Sequence, residues 1–134
     1  MAKIVDVEGI GPKYAEKLIK AGVSSTDALL KAGATPKRRK ELVEKTGLGD
    51  ALILKWVNHV DLYRIKGVGS EYSELLEAAG VDTIPELAQR KAGNLIQKIV
   101  AVNMEKKLVR KLPVESQIAN WIEQAKKLPR IITY

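Results

Sequence analysis

The chain has 134 residues, of which 46% are hydrophobic and 29% charged, and a formal net charge of +7. That length fits one domain or two small ones sharing a core, and the positive balance favours polyanionic partners. The lack of cysteine excludes disulfides and thiolate metal sites, and no membrane-length apolar run or signal-peptide core is present, so a cytoplasmic protein is expected.

With no phenylalanine, the core must be built from Leu, Ile, Val and Ala with two Trp and four Tyr, which favours helices over a sheet sandwich. Lys3-Ile4-Val5-Asp6-Val7 alternates apolar and polar residues and reads as a short extended segment. Pro12 then sits in the first turn of a helix ending at Ala21, with Gly22 as its left-handed stop. Ser25 or Thr26 caps a short helix to about Ala32, and Thr35, followed by Pro36, caps another to about Lys45. After Thr46-Gly47-Leu48-Gly49, Asp50 opens a helix whose apolar positions Leu52, Ile53, Trp56, Val57 and Val60 have helical spacing.

A second round of elements follows. A helix starts after Gly69 and stops at Gly80, and Thr83 with Glu86 forms a capping box for a helix to about Arg90. Asn94 is the expected cap of a longer helix to about Arg110. Leu112-Pro113-Val114-Glu115 then turns the chain into a last helix carrying Ile118, Trp121 and Ile122. The tail Ile131-Ile132-Thr133-Tyr134 is β-branched and follows Pro129, so a short pairing of the two extended ends is expected.

The two rounds are copies. Gly9-Ile10-Gly11-Pro12-Lys13-Tyr14-Ala15-Glu16-Lys17-Leu18 matches Gly67-Val68-Gly69-Ser70-Glu71-Tyr72-Ser73-Glu74-Leu75-Leu76 at an offset of 58, and Ala-Gly-Val follows in both. The tryptophans are offset by 65, so seven extra residues are expected inside the long helix after Asn94, close to two turns. The halves are 1–60 and 61–134, each with two helix-turn-helix corners. The last corner lacks glycines and reads as structural.

These residues resemble the helix-hairpin-helix family, in which a Gly-apolar-Gly turn leads into a helix with a small residue near its start. Gly9-Ile10-Gly11 with Ala15 fits closely; Gly67-Val68-Gly69 fits with Ser73 in place of alanine; Gly47-Leu48-Gly49 is a weaker match. The whole chain is also similar to a small, mainly bacterial family described only as a domain of unknown function. The resemblance implies an all-α fold of tandem helix-hairpin-helix repeats. It also implies binding of double-stranded DNA through its phosphates, without base reading.

In that mode the free N–H groups from Gly11 to Lys13 meet a phosphate at the positive end of the helix dipole, Ile10 anchors the turn, and Lys13 adds charge. The second turn would act through Gly67, Val68 and Gly69 with Lys66, although Glu71 stands where the first has Lys13 and Glu8 flanks the first turn. The basic run Lys37-Arg38-Arg39-Lys40 would assist, because cations in the first turn of a helix are destabilising and an anionic partner offsets that. Further clusters are Lys106, Lys107, Arg110 and Lys111, and then Lys126, Lys127 and Arg130. The mixed charges at both glycine turns favour the alternative, a protein-interaction or scaffold module that keeps the fold without the ligand. Trp56 and Trp121 lie on apolar stripes and read as core, with Tyr14 and Tyr72 half-buried beside the turns. His59, the sole histidine, has no partner set for metal or acid–base work, and no catalytic constellation is present. The chain reads as a non-enzyme with no cofactor.

Overall fold

The computed structural model describes residues 3–7 and 9–134, and Glu8 lies outside them. The regular elements among these are helical. A 3-10 turn at Ile4–Asp6 is followed by α1 (Gly11–Lys20), α2 (Thr26–Ala32), α3 (Pro36–Thr46) and α4 (Asp50–Leu62). Then come α5 (Ser70–Ala78), α6 (Ile84–Ala88), α7 (Ala92–Lys106) and α8 (Glu115–Lys127). No helix is long and apolar enough to cross a membrane among the described residues.

The chain divides into two compact units, Met1–Asp61 with Ile131–Tyr134, and Leu62–Arg130. In the first unit, Ile4, Val7, Ile10, Leu18, Val23, Leu29, Ile53 and Trp56 are buried. In the second, Leu62, Ile65, Val68, Leu76, Val81, Leu87, Ile118 and Trp121 are buried at the matching positions. The matching reaches upstream of the glycines. Val7 N donates to Ile4 O and Ile10 N to Val7 O, as Ile65 N does to Leu62 O and Val68 N to Ile65 O. In the expected extended segment Lys3–Val7, Lys3 and Val7 keep extended backbone but Ile4–Asp6 forms a 3-10 turn, because Ile4, Val7 and Ile10 share a spacing of three that brings all three into the core.

Helix ends follow local chemistry. Of the two candidates for the α2 cap, Ser25 takes the role, accepting from Ala28 N at 3.1 Å. Thr35 accepts from Arg38 N and Thr83 from Glu86 N, both at 3.2 Å. Helices α1 and α5 close identically: Gly22 N donates to Ile19 O and Val23 N to Leu18 O, while Gly80 N donates to Glu77 O and Val81 N to Leu76 O. This double reversal requires the left-handed backbone found at Gly22 (φ 90°) and Gly80 (φ 93°).

Helix α7 departs from expectation at both ends. It starts at Ala92 with Lys91 as cap residue, not at Asn94, and it stops at Lys106 rather than Arg110. Lys107 adopts a left-handed backbone (φ 51°, ψ 47°), and the Asn103 side chain bonds both Val109 N (3.0 Å) and Val109 O (3.1 Å). Helix α3 ends at residue 46 and α7 at 106, an offset of 60, whereas α4 starts at 50 and α8 at 115, an offset of 65. Five of the seven extra residues therefore lie in the connector between α7 and α8. Burial of Val109 and Pro113 draws that segment out of helical continuation.

The two ends of the chain take different partners. Lys3 forms an isolated antiparallel bridge with Ser25, and Ile4 N donates to Ser24 O at 3.4 Å. The tail instead bonds Ala34 and the α3 and α4 side chains Arg39 and Asn58, with Ile132 buried. The expected pairing of the ends with each other is replaced by these contacts, which satisfy the same backbone groups.

Candidate functional site

The first glycine turn is built from below by a tryptophan. Trp56 is fully buried in α4, and a Cβ on Gly9 would stand 3.6 Å from its Nε1. Trp56 Nε1 has no hydrogen-bond partner among the described residues. Tyr14 packs on the indole with ring centroids 5.2 Å apart at 55°. Gly9 (φ 86°) and Gly11 (φ 64°) both hold left-handed backbone, and Ile10 between them is buried. At Gly11 an added Cβ would meet nothing within 4 Å, so the backbone faces open space.

Helix α1 has no side-chain cap. Pro12 has no N–H and Tyr14 N–H begins the helix ladder, so the open donors of the first turn are those of Gly11 and Lys13. Lys13 is exposed and makes no ion pair or hydrogen bond among the described residues. Ile10, Gly11, Pro12, Lys13, Tyr14 and Lys17 line an open depression of about 600 Å³.

The second turn repeats this scaffold. Trp121 is buried in α8 with its Nε1 3.0 Å from a Cβ placed on Gly67 (φ 99°), and Tyr72 packs on it at 5.4 Å and 50°. Val68 is buried between the glycines. Gly69 differs, with an ordinary φ of −112° as the residue before α5, which also lacks a side-chain cap. Ser73 occupies the small-residue position at 0% exposure, and its hydroxyl donates to Ser70 O at 2.9 Å. The extra polar atom is thus satisfied without a change of volume.

Lys66 is exposed, and its backbone is clamped by Gln124: Lys66 N donates to Oε1 at 2.8 Å, and Nε2 donates to Lys66 O at 3.2 Å. Sequence reasoning missed this clamp. The signal was the offset of 65, which matches Gln124 to the buried His59. Tyr72 also donates to Lys111 O at 3.0 Å, tying the α7–α8 connector to α5.

The basic run on α3 splits in two. Arg38 donates to Lys31 O at 3.0 Å and Arg39 to Gly33 O at 2.8 Å, so both guanidiniums close the carbonyl end of α2. Arg39 also donates to Thr133 O at 2.8 Å and lies over the Tyr134 ring, 5.7 Å from its centroid. The cost of cations at the start of α3 is offset by the negative end of α2 and by the tail, within the unit itself. Lys37 and Lys40 are exposed and keep their charge for solvent or a partner.

Charge separates the two turns. Helix α1 carries Lys13, Lys17 and Lys20 against Glu16, with Glu16 and Lys20 paired at 3.2 Å. Helix α5 carries Glu71, Glu74 and Glu77 and no cation. No group of three or more His, Asp or Glu suited to a metal is found among the described residues.

Comparison with known proteins gives no significant match to any curated protein or solved structure. The family model described as Domain of unknown function (DUF4332) matches residues 8–128. The chain belongs to that family.

Proposed function

We propose that this protein binds double-stranded DNA without sequence preference, gripping a backbone phosphate at the first glycine turn. The observation that carries the reading is the open start of α1: N–H groups without a side-chain cap, open space where a Gly11 Cβ would stand, and an exposed Lys13 with no ion pair among the described residues. An anion placed there gains the Gly11 and Lys13 backbone donors, the helix dipole and a full positive charge at once. Contacts of this kind hold the duplex without reading its bases. The turn geometry supports reading Gly9–Ala15 as a helix-hairpin-helix motif, with Gly67–Ser73 as its tandem copy. In this reading Lys37 and Lys40 assist, and the acidic α5 makes the second turn the weaker phosphate site. Its failure would leave a protein-interaction module that keeps the fold without the ligand.

Titration of labelled duplexes of unrelated sequence at two salt concentrations tests the proposal. Equal affinities are expected, falling with salt by about 0.9 log units per log unit of salt for each phosphate contacted. Lys13→Glu should weaken binding more than Glu71→Lys strengthens it, since only the first turn joins open donors to a cation. Unchanged binding by a folded Lys13→Glu protein would remove the first turn as the phosphate site.

A further inference from the structure

The positive charge of the second unit is displaced from its glycine turn. Residues 62–89 hold two Lys or Arg against five Asp or Glu, a net of −3, whereas residues 90–130 hold ten against three, a net of +7. Several of those ten cations are engaged: Arg90 donates to Gly80 O, and Lys126 pairs with Glu123. Lys106, Lys107, Arg110 and Lys111 are not. All four are exposed, and none of their side chains has a hydrogen bond or ion pair among the described residues. Five backbone steps separate the first from the last, so they lie within roughly 18 Å of one another.

The segment that carries them is held in shape. Asn103 pins Val109 by two hydrogen bonds, Tyr72 holds the Lys111 carbonyl, and Val109 and Pro113 are buried. Leu108 and Leu112 pack against the core of the unit. What remains on the outside, from 106 to 111, is charge alone. The negative end of α7 accounts for Lys106 beside it, but Arg110 and Lys111 lie past the last turn, where that effect has faded. Four unpaired cations on a fixed loop repel one another, and a row of phosphates relieves the repulsion.

We infer that the α7–α8 connector is a second nucleic-acid contact, in which Lys106, Lys107, Arg110 and Lys111 neutralise backbone phosphates in place of the acidic second glycine turn. A lipid surface fits less well. Membrane binding rewards a set of apolar side chains that insert, whereas Leu108 and Leu112 pack on the core, Val109 is buried, and Val114 at the far end is the connector's one exposed apolar side chain among the described residues. The inference rests on the reading that the chain binds nucleic acid, and it concerns a different surface from Lys13.

The test uses the full chain, a short labelled duplex, and the triple variant Lys106→Glu, Arg110→Glu, Lys111→Glu, with the matching Gln triple in reserve should the first not fold. The expected result is an affinity loss of about tenfold or more, a salt slope lower by about two to three, and an unchanged melting temperature. Lys13→Glu run in parallel separates the two claims. Loss in the triple alone supports the connector and removes the first turn, while loss in both variants supports both. Loss in Lys13→Glu alone, with the triple at parental affinity and slope, overturns the connector and leaves the first turn standing. No duplex binding by the parent even at low salt overturns both. Anionic phosphatidylserine vesicles and polyglutamate form the last arms: if the triple loses either of these but keeps the duplex, the connector serves another partner and the inference falls.

Discussion

The two glycine turns share a scaffold and differ in surface. Each rests on a buried tryptophan, each stacks a tyrosine on that indole at nearly the same distance (5.2 and 5.4 Å), and each leads into a helix closed by the same glycine reversal. Yet the first helix carries three lysines against one glutamate, while the second carries three glutamates and no cation. Packing and ligand chemistry are thus separable in this chain. The buried face answers to volume and spacing, the outer face to whatever the turn must meet. A shared motif identifies a fold element twice over, and by itself assigns a ligand to neither copy.

The comparison is broken most sharply by removing its common support. Each indole buries roughly 150–250 Å² and holds up a turn with a glycine directly above it. Trp56→Ala and Trp121→Ala should each cost about 3–5 kcal/mol, measured by urea denaturation followed by far-ultraviolet circular dichroism. Comparable losses would establish that both turns depend on the same device. A loss under about 1 kcal/mol at either site would mean that its turn is held by other contacts.

A smaller effect distinguishes the turns themselves. Gly11 has a left-handed φ of 64° and Gly69 an ordinary φ of −112°, although they match in sequence. The helix starts one residue earlier in the first copy, at Gly11 rather than at Ser70. Gly11→Ala should therefore cost about 1–2 kcal/mol, and Gly69→Ala should stay within about 0.5 kcal/mol of the parent. No Cβ clash contributes at either position, so backbone strain alone sets the difference. Equal costs would mean that the two turns adopt one conformation in solution.

What the sequence revealed, and what it hid, follows the range of the interactions involved. The threonine caps at Thr35 and Thr83, the glycine stops at Gly22 and Gly80, and the buried tryptophans are set by residues within a few positions or by helical spacing, and are found as read. The expected box at Thr83, however, lacks its return bond from Glu86 among the described residues, and α6 closes at Ala88 rather than near Arg90. The turn at Ile4–Asp6 was misread because alternation over five residues fits both a strand and a spacing of three. Arg38 and Arg39 read as a surface cluster because their partners, the α2 carbonyls and the Thr133 carbonyl, are brought close only by the fold. The Gln124 clamp on Lys66 spans 58 positions and leaves no local signature. The candidate site at Gly11 was legible for the opposite reason, since its glycines, proline and lysine are contiguous.

The smallest effect concerns the place where the second unit departs from the first. Helix α3 ends on Gly47 with φ 74°, whereas α7 ends on Lys107 with φ 51°, the sole described non-glycine residue with positive φ. A lysine held there carries strain that a glycine would not, so Lys107→Gly should stabilise the protein by about 0.5–1 kcal/mol despite the added freedom of the unfolded chain. The same change removes one of the four connector cations, and it should lower the salt slope of duplex binding by about one if that residue meets a phosphate. The two readouts have opposite signs for fitness of the site. A gain in stability with a loss of binding would mean that the lysine stands in a position costly to folding and useful to the ligand. A gain in stability with binding untouched would make Lys107 a bystander and confine the contact to Lys106, Arg110 and Lys111.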